Sequence, residues 1–237
     1  MTELICMTDA YCQTFEATVS AAVEGGVILD RSAFYPGGGG QPCDLGTLTA
    51  GDHVYQVTKV KKVNGQPVHF IAGDLPAAGT RVIGQLDWER RYQLMRTHTA
   101  MHILCGTVFR DYGAQVTGGN MDPLKGRMDF EFETMRQELV AEIEAGINAE
   151  MEKDHAIAIN VLPREEAFSI PDLIRTKINL LPEGITEIRT IEIVGLDLQA
   201  DGGTHVKSTA EVGRMRVTNY KSKGRINKRI YLEIEAA

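Results

Sequence analysis

Residues 87–113 read DWERRYQLMRTHTAMHILCGTVFRDYG, and this stretch divides the chain. Asp87 is a helix N-cap by type, and Gly113 suits the residue that ends a helix. Between them Leu94, His98, Met101, Cys105, Val108 and Tyr112 recur every three to four residues, which predicts a helix from Trp88 to about Tyr112 with one apolar face. His98 falls inside that face and His102 stands beside it. Four residues apart, the two imidazoles share a helix face about 6 Å apart along the axis. That spacing lets both reach one metal ion, as helical histidine pairs that bind zinc do. Two readings remain open at this point, a metal pair and two satisfied core histidines. Cys105 lies about 10 Å along the axis from His98, too far to share an ion with it.

Before this helix the sequence is β-rich. Ala17-Thr18-Val19, Gly26-Val27-Ile28-Leu29, His53 to Val57 and Val68 to Ile71 are short strand candidates, separated by turn signals such as Asn64-Gly65. Strands of this length and spacing predict a small barrel over residues 1–86. Within it, Phe34-Tyr35-Pro36-Gly37-Gly38-Gly39-Gly40-Gln41-Pro42 carries four consecutive glycines, which permit positive φ and close approach by another backbone or a ligand.

After the helix the pattern is mixed. A strand is expected near Arg127 to Phe132. Thr134-Met135-Arg136-Gln137 has the form of a capping box, opening a helix with Leu139, Ile143, Ile147 and Met151 inward. Ala156 to Ile159 and Ile188 to Ile193 read as strands, and Pro163 begins a short helix through Phe168. Val212 to Glu235 reads as an antiparallel hairpin turning near Gly224. The whole is an α+β protein, a small N-terminal β-barrel followed by an α+β domain over residues 87–237 with a largely antiparallel sheet. In that second part, Asp201-Gly202-Gly203-Thr204-His205 sets a carboxylate four residues before a third histidine. A glycine-rich loop can aim both inward to complete the site begun by His98 and His102.

The chain has 237 residues and 43% hydrophobic content, enough for a sizeable core. No apolar run approaches the roughly 18 residues of a membrane span. The start Met1-Thr2-Glu3-Leu4 lacks the features of a secretory signal, so a cytoplasmic location and reduced thiols are expected. Cys6, Cys12, Cys43 and Cys105 show no CxxC spacing, which excludes a ribbon-type zinc site. The formal net charge of −7 argues against nucleic acid, but its distribution does not. Lys221, Lys223, Arg225, Lys228 and Arg229 cluster about one hairpin turn, where a local basic patch can bind phosphates or form a solvated surface.

Taken together, three segments resemble the AlaX family, the free-standing editing relatives of alanyl-tRNA synthetase. They are Arg96-Thr97-His98-Thr99-Ala100-Met101-His102, Phe34-Tyr35-Pro36 with Gly38-Gly39-Gly40-Gln41, and Gly202-Gly203-Thr204-His205-Val206. The resemblance runs in order through nearly the whole chain and is to the medium-length type. It implies deacylation of alanine tRNA wrongly charged with serine, and in some members with glycine. It implies one zinc ion per chain, held by His98, His102 and His205. The family commonly has Cys as the fourth ligand, where this chain has Asp201. Aspartate can bind zinc through oxygen, or stand off the metal and deprotonate a water. The resemblance also implies that a threonine recognises the serine hydroxyl, with Thr117 the best match. Gly38, Gly39, Gly40, Gln41 and the five tail cations are then expected to contact tRNA, with no membrane partner. A zinc peptidase is disfavoured because Thr99, not Glu, follows the first histidine. A tRNA-binding module with a purely structural metal is the main alternative, and deacylation turnover separates it from an enzyme.

Overall fold

The computed structural model describes residues 2–175 and 184–235, and it divides into two compact units, Met1–Gln93 and Leu94–Ala237. The first unit begins with β1 (Glu3–Leu4), which pairs in parallel with β4 (Arg31–Ser32). Six further strands close a barrel: β2 (Thr14–Val23), β3 (Gly26–Leu29), β5 (Gly46–Ala50), β6 (His53–Val63), β7 (Gln66–Ile71) and β8 (Arg81–Leu86). Their order around the barrel is β2-β3-β7-β6-β5-β8, with every pairing antiparallel. Alternation drives closure. Phe15, Ala17 and Val19 of β2 point inward with Val27, Leu29, Leu48, Val57, Val60, Val82 and Leu86, and Phe34 fills the interior. The Asn64-Gly65 turn joins β6 to β7 with φ of 48° and 79°, the doubly positive form that the right-handed strand twist favours. Short β5 and β8, which were not among the strand candidates read from the sequence, complete the closure.

Two polar networks sit inside this unit. Arg91 is fully buried and forms a bidentate pair with Asp44. Its remaining donors reach the carbonyls of Ala10 (2.8 Å) and Ala33 (2.6 Å), so no charge is left uncompensated. His69 is likewise buried. Its Nε2 accepts from Ser32 Oγ at 2.7 Å, and its Nδ1–H donates to the Val27 carbonyl at 3.3 Å. Burial pushes its pKa down to about 4.

Helix α1 (Trp88–Tyr112) begins and ends where the sequence predicts. Asp87 Oδ1 accepts from the Arg90 N–H at 3.2 Å, and Gly113, at φ 65°, returns its N–H to Phe109 O. The expected single apolar face is a correction. From Leu94 to Val108 every residue of α1 is buried, so the helix is a central element and not a surface one. Tyr112, expected inward, is 37% exposed.

The second unit sets two antiparallel sheets around this part of α1. One has the order β14-β15-β10-β9, built from β9 (Val116–Asp122), β10 (Lys125–Glu131), β14 (Met215–Ser222) and β15 (Asn227–Ile234). The other is β11 (Ile157–Pro163), β12 (Glu187–Ile193) and β13 (Asp197–Ala200) in that order. Helix α2 (Gln137–Glu152) docks on β14 through Asn148, which exchanges hydrogen bonds with the Met215 backbone at 2.8 and 3.0 Å. The capping box is a second correction. Arg136, not Thr134, occupies the N-cap and no side chain caps the helix. The buried stripe is Val140, Ile143, Ile147 and Glu150, which leaves Leu139 and Met151 half-buried. Glu150 is held by Arg110, Lys153 and His155. Pro163 stands at the N-cap of the short α3 (Arg164–Ser169), one position earlier than expected.

Candidate metal centre

The i, i+4 spacing on α1 brings His98 and His102 together with ring centroids 5.2 Å apart. His205 arrives from the loop after β13 and stacks on His98 at 4.2 Å between centroids, 26° from parallel. It lies 4.8 Å from the His102 centroid, nearly perpendicular. Asp201 opens that loop. Its Oδ2 accepts from the Gly203 N–H at 2.6 Å, a local turn that folds the chain back toward α1. The two loop glycines are used differently from the sequence reading. Neither Gly202 nor Gly203 has positive φ, so the aspartate turn aims His205, not left-handed backbone.

One ligand atom from each of His98, His102, Asp201 and His205 lies within 4.8 Å of all the others. In a tetrahedral site with bonds of about 2.0–2.1 Å, neighbouring donors stand roughly 3.4 Å apart. The Asp201 carboxylate, 3.1 Å from His205 Nε2 and 3.6 Å from His98 Nε2, brackets that distance. All three histidines are buried. Three imidazoles and a carboxylate are a donor set suited to a borderline divalent ion such as zinc.

Residues behind the ligands fix their tautomers. Nδ1 of His102 lies 3.1 Å from Oδ2 of Asp197, whose side chain is wholly buried. Donation from this nitrogen leaves Nε2 with its lone pair toward the cluster. Nδ1 of His205 lies 3.1 Å from Thr99 Oγ1, which also accepts from the Val206 N–H at 3.4 Å. With Nδ1–H donated to Thr99, Nε2 of His205, 3.1 Å from Asp201 Oδ2, would be the nitrogen offered to a metal. Such carboxylate and hydroxyl partners orient metal-binding imidazoles and raise their basicity.

Electrostatics follow from burial. Desolvation lowers the His98 pKa well below its usual value and that of His205 to about 4, so both are neutral bases near pH 7. Burial would also lower His102, but the hydrogen bond and charge of Asp197 outweigh it and raise the pKa. For Asp201 burial acts upward, and the surrounding imidazoles, His98 first, hold it well below the usual carboxylate range. Arg189 adds a cation at the rim. Its Nη1 donates to the Asp201 carbonyl at 3.0 Å and lies 3.9 Å from Oδ2.

Asp197 and Arg189 were not singled out from the sequence. Both come from β12 and β13 and meet the histidines only through the fold. One signal was available in Gly106, a helical glycine one turn after His102. A Cβ there would come within 2.9 Å of Asp197 Cβ, so Gly106 marks where this chain segment closes on α1. Asp197 is itself backed by Gln199 Nε2 at 2.6 Å and by Arg175 Nε at 3.4 Å, and the Arg175 guanidinium lies 3.8 Å over the Phe109 ring. Cys105 is buried and its thiol pKa is pushed up by that burial, which opposes the thiolate form that binds metal.

The other expected site residues lie outside the cluster. Thr117 is exposed on β9, with its hydroxyl donating to Asn227 Oδ1 at 3.1 Å. In the first unit Gly37, Gly38, Gly39 and Gly40 all have positive φ. Gly38 and Gln41 exchange both backbone hydrogen bonds, at 3.1 and 2.9 Å, across the Gly39-Gly40 turn, and Gln41 is buried. The stretch is a tight hairpin and not a slack loop. Around the β14–β15 turn, Lys221, Lys223 and Arg225 are exposed. Lys228 is buried, its ammonium donating to the carbonyls of Gly224 and Arg225, both at 2.8 Å. Arg229 forms a bidentate pair with Asp129 at 2.6 and 2.8 Å. These last two cations hold the hairpin.

Comparison with known proteins gives the same geography. A family model described as tRNA synthetases class II (A) matches residues 3–90. The model for the threonyl and alanyl tRNA synthetase second additional domain matches residues 188–231, which contain Arg189, Asp197, Asp201 and His205. The chain is 40% identical to the alanyl-tRNA editing protein AlaX-M of Saccharolobus solfataricus, over 99% of this chain and 100% of that protein. It is 36% identical to the AlaX-M protein of Methanosarcina mazei, over 99% and 97% respectively. It is also 36% identical to the alanine–tRNA ligase of Pyrobaculum aerophilum, over 88% of this chain but 24% of that enzyme.

Proposed function

The chain belongs to the AlaX-M family of alanyl-tRNA editing proteins, and from that premise we propose that it is a metal-dependent deacylase of alanine tRNA mischarged with serine, and also with glycine. The observation that carries the reading is the convergence of His98, His102, Asp201 and His205 within 4.8 Å. These four residues would hold one zinc ion. When bound, zinc supplies Lewis-acid polarisation of an ester carbonyl and activation of water near neutral pH.

The protein's own groups prepare that chemistry. Asp197 and Thr99 hold His102 and His205 so that both present Nε2. Burial keeps His98 and His205 unprotonated and available as donors. Asp201 remains ionised, which suits it to bind the metal through oxygen or to take a proton from attacking water. Arg189 fixes the Asp201 backbone, and its positive charge would stabilise negative charge that develops as an ester bound at the cluster is hydrolysed. An aminoacyl ester is more reactive than an amide, so modest activation suffices. Exposed Lys221, Lys223 and Arg225, together with the Gly38–Gln41 hairpin, would contact tRNA phosphates. Such contacts position the acceptor end without reading its sequence.

On the family resemblance alone we assign Thr117 the serine hydroxyl, a role in which its own hydroxyl would leave Asn227 Oδ1. A site that hydrogen-bonds a hydroxyl discriminates more strongly than one that senses a methylene. Replacing Thr117 with Val should therefore slow deacylation of Ser-tRNA more than Gly-tRNA, and equal losses would make Thr117 a strand residue only. The reading as a whole is tested with alanine tRNA charged with Ser, Gly or Ala, assayed with and without a chelator. Hydrolysis of the Ser-charged form that is lost on chelation supports it. A protein that binds tRNA and metal with no turnover would instead be a binding module with a structural ion.

A further inference from the structure

We propose that the barrel carries its own RNA-backbone-binding face, formed by Lys59, Lys61 and Lys62 of β6 beside the glycine hairpin. The proposal rests on the tRNA-editing reading above and extends it to residues that the reading does not use.

All three lysines of residues 1–93 fall between positions 59 and 62. Lys59 and Lys61 flank Val60, which is buried in the barrel core, so strand alternation turns both outward. Lys62, next in the strand, takes the opposite side by the same alternation but lies near the end of β6, two residues before Asn64, where it too is exposed. Their partners across β7 are Phe70, Val68 and Pro67, so no acid stands opposite them. Among the described residues none of the three lysine side chains takes part in an ion pair or hydrogen bond. Three ammonium groups within four positions repel one another, and among the described residues none of their side chains forms an ion pair that would relieve that repulsion.

The other edge of β6 connects this cluster to the hairpin. β5 pairs with β6 only from His53 to Val57. Beyond that, the Val60 N–H faces Cys43 Sγ at 3.5 Å, so the chain before β5 continues antiparallel along β6. The next residues along that course belong to the glycine hairpin. Gly37 folds back against Cys43, where an added Cβ would lie 3.3 Å from its backbone nitrogen. Gly38 and Gly39 are exposed, and with no side chains they leave the peptide surface open to close approach. Lys59 and Lys61 stand about 6.7 Å apart along the strand, comparable to the spacing of successive phosphates in an RNA strand. Open backbone flanked by uncompensated, regularly spaced cations suits a polyphosphate backbone, not a single small anion.

The test uses the full chain and uncharged alanine tRNA, with affinity measured between about 50 and 200 mM salt. Replacing Lys59, Lys61 and Lys62 together with Gln should make the slope of log affinity against log salt shallower by about 2 to 3. Replacing all three with Arg should retain the wild-type slope. Bound zinc and the melting transition, measured on each variant, establish that the fold is intact. If the triple Gln variant does not fold, Lys61→Gln alone should lower the slope by about 0.9. A wild-type slope in the folded Gln variants overturns the proposal and leaves the editing function standing. A wild-type protein that fails to bind tRNA at any of these salt concentrations overturns both.

Discussion

Asp197, whose side chain is wholly buried, places a carboxylate oxygen 3.1 Å from Nδ1 of His102, one of the four residues that could hold a metal ion. This contact sets which nitrogen of His102 is available. Gln199 and Arg175 hold Asp197 from behind, at 2.6 and 3.4 Å.

Replacement of Asp197 with Asn keeps the shape and removes the charge. Zinc affinity should fall by about 10- to 100-fold, while the melting temperature of the zinc-saturated protein changes little. Zinc affinity by chelator competition checks this. Unchanged affinity would remove Asp197 from the ordering of the site.

Asp201 separates two roles. As a ligand, Asp201→Asn should weaken zinc binding, and Asp201→Cys should restore it with a family-like donor set. As a base, Asp201→Asn should retain zinc and lower the deacylation rate, by about 10²- to 10⁴-fold. Zinc content and single-turnover deacylation, measured on the same preparations, distinguish the two. Wild-type values for both would exclude Asp201 from the mechanism.

His69 gives the barrel a pH dependence independent of the metal. Its pKa is about 4 in the fold against an ordinary value near 6.5, because burial opposes the charged ring. Between these values the unfolded chain binds more protons than the folded one, so stability falls with falling pH. The contribution is fully present above pH 6.5 and is lost as pH falls through the folded pKa, for a total of about 3 kcal/mol. His69→Gln should flatten the stability difference between pH 7.5 and 4.5, as measured by denaturant unfolding. An unaltered difference would contradict the assignment.

Much of this site was legible because its signals are local. Asp87 and Gly113 mark the ends of α1 by backbone chemistry, and i, i+4 spacing alone brings His98 and His102 to one face. The Asn64-Gly65 turn and the four positive-φ glycines were legible for the same reason. Asp197 and Arg189 were not, since they reach the histidines across strands and no spacing rule connects them. The start of α2 was misplaced because Thr134 satisfies the capping-box pattern while the chain enters the helix two residues later, at Arg136. The tail cations looked equivalent in sequence. Only the fold shows that Lys228 and Arg229 are engaged by the Gly224 and Arg225 carbonyls and by Asp129.

The central claim is that one ion, held by the three histidines, is required for deacylation. The most direct measurement is zinc content together with Ser-tRNA deacylation in His98→Ala, His205→Ala and the double variant. The expected result is loss of stoichiometric zinc and of most turnover in each, with folding retained. Stoichiometric zinc in the double variant, or undiminished deacylation by any zinc-free variant, would contradict it.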